Sequence, residues 1–250
     1  MKKSLIFIYF LVFQLSFGQA VDFVSVSQKF LQSVKAKNDK VSYYIDLLAN
    51  AKEEDIIKQL IDDNHKKTFF INLYNAYCNN ALQKNPERFK KRGDYFSDKQ
   101  FIFAGNKISL DIIEHGFLRK SMVKLSMGKM HNLFPPKLEK DFRVEKVDYR
   151  IHFALNCGAK GCPKIDIYSV SKIDNQLSEN TKEFLIKDSK FDADKNILFV
   201  TSLMSWFRGD FGDKKGILEI HKNLKIIPQD ANPSLSYKEY DWTLNLDSFK

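Results

Sequence analysis

The stretch Thr68–Leu82, TFFINLYNAYCNNAL, decides what kind of fold this chain adopts. Phe69, Leu73, Ala76, Tyr77 and Ala81 recur three or four apart, which is helical spacing. Apolar residues occupy the flanks of that stripe as well, so the segment reads as a central helix covered on both sides. Asn72 and Asn75 lie within it. A buried amide without a partner is costly, so each must either hydrogen-bond to backbone and loops or face a pocket. Cys78 on the same helix reads as a buried free thiol.

Upstream, the helical pattern extends back to Val24. In EEDIIKQLID the acids open a segment whose Ile56, Ile57, Leu60 and Ile61 share one face. Residues 1–20 stand apart. Lys2 and Lys3 precede an apolar run from Leu5 to Phe17, followed by small residues at Gly18 and Ala20. That is the pattern of a secretory signal peptide, with cleavage expected after Gly18 or Ala20. The apolar run falls short of the roughly 20 residues that a span needs. The expectation is a secreted or periplasmic protein with no membrane span after cleavage and a single domain over residues 21–250.

Hydrophobic residues make up 44% of the 250-residue chain and charged residues 28%, a globular composition. The 22 phenylalanines predict aromatic packing in the core. The formal charge is +9, or +7 once Lys2 and Lys3 are removed with the leader. The positives at Lys66-Lys67, Lys90-Lys91-Arg92 and Lys214-Lys215 are scattered among acids. A face that tracks nucleic acid concentrates its charge, so nucleic acid is not expected as a partner.

Downstream of the central helix, KQFIFAGNKISL reads as a β-hairpin turning at Gly105-Asn106. Ser109 then caps a helix from Leu110 to about Lys120. Pro135-Pro136 interrupts any helix between residues 121 and 148. YRIHFAL alternates as a strand does, with Tyr149, Ile151, Phe153 and Leu155 on one face and Arg150, His152 and Ala154 on the other. Ser171 caps a helix through KIDNQLSENTKEFLIKD, NILFVTS is a strand, and LMSWFRGDFG is a short helix ending at glycine. A helix at KKGILEIHKNL and a strand near SYKEYDWTL follow. The sum is α+β: a helical N-terminal part, then a small, mostly antiparallel sheet with packed helices.

The chemistry concentrates in RIHFALNCGAKGCPKI, residues 150–165, which holds His152 and two of the three cysteines. Three readings stay open. A thiol site would use Cys157 activated by His152, which needs the loop to fold back, or by another histidine such as His115. A disulfide joining Cys157 to Cys162 across a loop with two glycines is the expected state in an oxidising compartment, with Cys78 left reduced. A zinc site would use His152, Cys157 and Cys162, but zinc ligands usually arrive as two closely spaced pairs and the second pair is missing; no metal or other cofactor is expected. SLDIIEHGFLR adds Asp111, Glu114, His115 and Arg119. Asp111 suits a helix N-terminus, and Glu114 is placed to pair with Arg119 or another arginine.

Taken in order, FFINLYNAY, ISLDIIEHGFLR, DYRIHFALNCGAKGCPKI, LMSWFRGDFG and YDWTLN resemble the domain of unknown function 547 family, from about Phe69 to Asn245. Phe70 stands where the family usually has tryptophan. The resemblance implies no established activity. It implies that Asn72, Asn75, Glu114, Arg119, Arg150, His152, Asn156, Cys157 and Cys162 are the recurrent polar residues. By residue type the cluster is similar to papain-like and transglutaminase-like thiol enzymes, although here Cys157 follows His152 in the chain. Two functions follow as expectations. The first is an envelope or extracellular domain binding a small-molecule, peptide or envelope ligand, with Asn72, Arg119, Arg150 and Asn156 as binding residues. The second is a thiol hydrolase or acyl-transferase using Cys157, His152, Asn75 and Glu114, with a backbone N–H near Gly158 for the oxyanion. Both place the pocket where the Asn75 helix, the Glu114 helix and the His152 segment converge.

Overall fold

A computed structural model describes residues 21–250, so the leader expected over residues 1–20 lies outside the described residues. The helical first part is α1 (Phe23–Ala36), α2 (Lys40–Ala49), α3 (Glu53–Ile57) and α4 (Asp63–Lys84). Asp22 and Asp62 start α1 and α4 by accepting the backbone N–H groups of Ser25 and His65. From Lys67 to Asn79 every residue of α4 is buried. The helix is therefore the axis of the fold, as the unbroken apolar flanks of its sequence predict.

α5 (Arg92–Ser97) leads to the hairpin β1 (Phe101–Phe103) and β2 (Asn106–Ile108). The pairing Phe103↔Asn106 puts the turn at Ala104-Gly105, one residue before the position expected from sequence. Both turn residues have positive φ, and the Ala104 conformation is held because its N–H donates to Leu48 O at 2.9 Å. Ser109 does accept the Ile112 N–H, at 3.2 Å. The helix it starts widens at once into a π-helix, Ile112–Leu118, bonded as Arg119 N–H to Glu114 O at 2.9 Å.

The proline-interrupted region is a loop closed by α6 (Lys137–Phe142). The segment YRIHFAL is not a strand. Tyr149–Phe153 is a 3₁₀ turn, opened by the Asp148 carboxylate accepting the Arg150 N–H at 3.1 Å. Ile151 to Asn156 are all buried, so the alternation seen in sequence corresponds to no solvent face.

α7 (Ile173–Asp188) follows, and it has no side-chain cap from Ser171. The strands β3 (Lys190–Asp192), β4 (Ile197–Val200) and β5 (Ser234–Tyr237) form one sheet, β3 antiparallel and β5 parallel to β4. α8 (Leu203–Trp206) and α9 (Asp213–Asn223) sit between β4 and β5 in the chain. The fold is α+β with a helical N-terminal part. Its core forms two clusters. The larger packs around α4, with Phe69, Phe70, Phe103, Phe117 and Phe142 interleaved; the smaller lies between α7, α9 and the sheet. No helix of the described residues is long and apolar enough to cross a membrane.

Candidate functional site

Three buried amides build the ground under the site. Asn75 donates to Ala154 O at 2.9 Å and accepts the Asn156 N–H at 2.8 Å. One turn earlier, Asn72 does the same for a single residue, donating to Tyr168 O at 2.9 Å and accepting the Tyr168 N–H at 3.0 Å. Asn156 closes the cysteine loop from within, donating to Pro163 O and accepting the Gly158 N–H. These amides replace the backbone partners that a strand would have supplied.

Above them opens a cleft of about 510 Å³. Tyr74, Glu114, His115, His152, Cys157 and Cys162 line its polar side, and Trp206, Phe207, Tyr240 and Trp242 its aromatic side. Trp206 and Trp242 stack with centroids 5.6 Å apart, and Tyr240 packs against both.

Beneath the cleft runs a buried charged chain. Arg119 is fully buried and grips Asp210 with two hydrogen bonds, Nε to Oδ2 at 2.6 Å and Nη2 to Oδ1 at 3.2 Å. His152 Nε2 lies 2.8 Å from the same Oδ2. Burial by itself raises the Asp210 carboxyl, but the hydrogen bonds from His152 and Arg119 outweigh it and hold the group at about 2. Burial also pushes the His152 imidazole below its ordinary value, against the pull of Asp210. At neutral pH the pair is thus an ionised carboxylate and a neutral imidazole with its proton on Nε2. His152 stacks on Phe207, 3.9 Å between centroids, which fixes the ring plane. Its Nδ1 makes no hydrogen bond among the described residues, and the ring is part of the cleft wall.

Arg119 Nη1 also donates to His115 Nδ1 at 2.8 Å. Burial, with Arg119 beside it, drives His115 down to about 2, so it is neutral. Glu114 takes no part in the ion pair expected from sequence; Arg119 is committed to Asp210. Left without a direct cation and shielded from water, with Asp111 adding to the effect, the Glu114 carboxyl is pushed up to about 7. That is the range in which a carboxyl serves as acid or base near neutral pH.

The bridge expected from sequence is not formed in the structure: Cys157 and Cys162 are free thiols, as is the buried Cys78. Cys162 Sγ receives the Cys157 N–H at 3.0 Å and the Tyr240 O–H at 3.2 Å. The two thiols have diverged. The hydrogen bond to Cys162, followed by burial, pushes Cys157 up. Burial raises Cys162 too, but the hydrogen bonds from Cys157 and Tyr240 overcome it and bring it below its ordinary value. Cys162 is the sulfur biased toward thiolate.

Of the residues singled out in sequence, the cleft gathers Cys157, Cys162, His152 and Glu114, and Asp111 and His115 with them. Asn75, Asn72 and Asn156 are fully buried and hold backbone; none hydrogen-bonds to an imidazole. The Gly158 N–H is occupied by Asn156 and is not free for an oxyanion. Arg150 pairs with Asp148 and Asp174 and lines a separate hollow. Among the described residues no cluster of His, Cys, Asp and Glu has the grouping of a metal site. Sequence reasoning did not single out Asp210, Tyr240, Trp206 or Trp242, though all four lie in motifs of the resemblance.

No curated protein and no solved structure matches the chain. A family match does exist, over residues 58–185, which is 128 of the 250 residues. That span carries α4, the π-helix and the cysteine loop. The chain belongs to the family described as "Protein of unknown function, DUF547".

Proposed function

We propose that the cleft is the active site of a thiol-dependent hydrolase or acyl-transferase, in an exported protein. The observation that carries the reading is the His152 geometry. Asp210 holds Nε2 and Phe207 holds the ring plane, leaving Nδ1 as the lone pair in a cleft that also contains two thiols. Such an imidazole is oriented to accept a thiol proton. Cys162 is the better nucleophile of the pair, because the hydrogen bonds it receives favour the thiolate.

The steps balance as follows. The Cys162 proton passes to His152 Nδ1, and the sulfur bonds to the carbonyl carbon of an amide or ester. The leaving group takes that proton from His152, which is left neutral. Water then gives a proton to His152 as its oxygen bonds to the acyl carbon, the C–S bond breaks, and the Cys162 thiolate takes the proton back from His152. The aromatic wall of Trp206, Tyr240 and Trp242 suits a substrate with a flat or apolar flank. Export rests on the leader at residues 1–20 and is checked by N-terminal sequencing of the exported chain, which should begin at Gln19 or Val21.

The test is hydrolysis of chromogenic ester, thioester and peptide-anilide substrates by the protein and its Cys162→Ala, Cys157→Ala and His152→Ala variants. Cys162→Ala and His152→Ala should abolish turnover with the fold intact. Full turnover by folded Cys162→Ala would overturn the assignment. The aromatic wall favours a second reading, a binding domain. Ligand-induced stabilisation that survives Cys162→Ala, with no turnover of any substrate, would establish it instead.

A further inference from the structure

The loop between the π-helix and α6 displays apolar side chains that the fold does not cover. Leu125, Leu133 and Phe134 are 89%, 84% and 88% exposed, and Met130 is 62% exposed. With Val123 and Met127 they make six of the twelve large hydrophobic side chains exposed among the described residues, within twelve consecutive positions. Singly exposed apolar residues are ordinary; a cluster of this size marks a contact surface.

The loop is built, not frayed. Val123 N–H donates to Met130 O at 2.9 Å, Asn132 N–H to Ser121 O at 2.7 Å, and Gly209 N–H to Met127 O at 2.7 Å. These bonds hold the apolar tips outward.

Charge decides what covers them. Residues 115–138 contain no carboxylate, while Lys120, Lys124, Lys129 and Lys137 are spread along them. Lys124 and Lys129 pair with Asp111 and Asp213 from other segments and Lys137 with Asp141 on its own helix, each lysine side chain being 46% or more exposed, where pairing is weak. Lys120 meets only the Glu145 carbonyl and keeps its charge uncompensated. A second copy of the chain would set this carboxylate-free stretch against the same stretch across a two-fold axis, with no acid in it to answer its lysines. A surface that is negative and apolar just beneath accepts both features at once.

We infer that the 123–134 loop docks the protein on an anionic lipid bilayer, with Leu125, Met130, Leu133 and Phe134 among the headgroups and the lysines toward the lipid phosphates. Lys124, Leu125 and Met127 also line the cleft, so docking turns its mouth to the membrane. The inference goes beyond the thiol chemistry and does not depend on it.

The experiment is co-sedimentation with vesicles of phosphatidylcholine, with and without phosphatidylglycerol. It compares the purified protein with its Leu133→Glu/Phe134→Glu variant, both carrying the same N-terminus. The protein should bind the anionic vesicles, release with salt, and bind neutral ones weakly. The variant should bind about tenfold or more weakly with an unchanged unfolding transition. A Leu133→Trp variant should show blue-shifted emission on anionic vesicles, which tests the same contact without introducing charge. Equal binding by protein and double variant, or no binding of the protein to anionic vesicles, overturns the inference. A dimer in solution that the double variant dissociates, without vesicle binding, assigns the loop to a second copy and overturns it as well.

Discussion

Arg119 Nε and Asp210 Oδ2 meet at 2.6 Å with side chains 0% and 1% exposed, joining the π-helix to the segment after α8. A buried pair of this kind contributes little net stability, yet breaking it strands a charge. Asp210→Asn should therefore cost about 3–5 kcal/mol in urea unfolding. Adding Arg119→Met should recover a large part of that loss, and a double variant no more stable than Asp210→Asn alone would contradict the pairing.

Glu114 sets a pH dependence with a definite sign. Its carboxyl lies at about 7 in the folded chain against an ordinary 4.5, so the folded state binds more protons between those values. Stability from this group falls as pH rises from about 4.5 to about 7, by about 3 kcal/mol in all. Glu114→Gln removes the decline. Compared with the parent, the variant should gain stability between about pH 5 and about pH 8, read from unfolding midpoints.

The histidines act oppositely. His115 and His152 are both held below their ordinary values, so each contributes stability that is full above about 6.5 and is lost as pH falls. Asp210, held at about 2, adds a loss below its ordinary 3.8. Acid unfolding should be sharp, and Asp210→Asn should move its midpoint upward.

Gly128 has φ +81, and a Cβ there would sit 2.7 Å from the Asp210 backbone nitrogen and overlap its carboxylate. Gly128→Ala should destabilise the protein by about 1–3 kcal/mol. It should also slow any thiol-dependent turnover by displacing Asp210 from His152. Gly93 is the control: a Cβ there meets nothing, and Gly93→Ala should leave stability within about 1 kcal/mol.

How much of this was legible in the sequence depends on range. The central helix, the hairpin, the strand β4 and the convergence of Asn75 and His152 segments follow from local periodicity and the order of the motifs, whereas the three-residue β3 is too short to show any. Tyr149–Phe153 misleads because Tyr149 and Arg150 are half-buried and Ile151–Phe153 buried, so the five-residue 3₁₀ turn has no alternating solvent face to set against the sequence pattern. The His152–Asp210 bond spans 58 residues, and nothing local in FRGDFG distinguishes its aspartate from a surface acid. Sequence points to Cys157, whereas Cys162 is the sulfur biased toward thiolate, because one of its donors, Tyr240, comes from 78 residues away.

Asn75 should tolerate no truncation. Asn75→Ala leaves the Ala154 carbonyl and the Asn156 N–H buried without partners, a loss of about 2–4 kcal/mol. It should also raise the alkylation rate of Cys157 and Cys162, measured by mass spectrometry under native conditions.

Asn72 and Asn75 sit one turn apart on α4, and each grips one end of the chain segment that runs from Ala154 to Tyr168. That segment is in effect a staple with both legs driven into the same rigid beam. Its closure comes from amide bonds to a helix and owes nothing to sulfur. The two cysteines ride on the staple without having to close it, so the segment keeps its path with both sulfurs reduced.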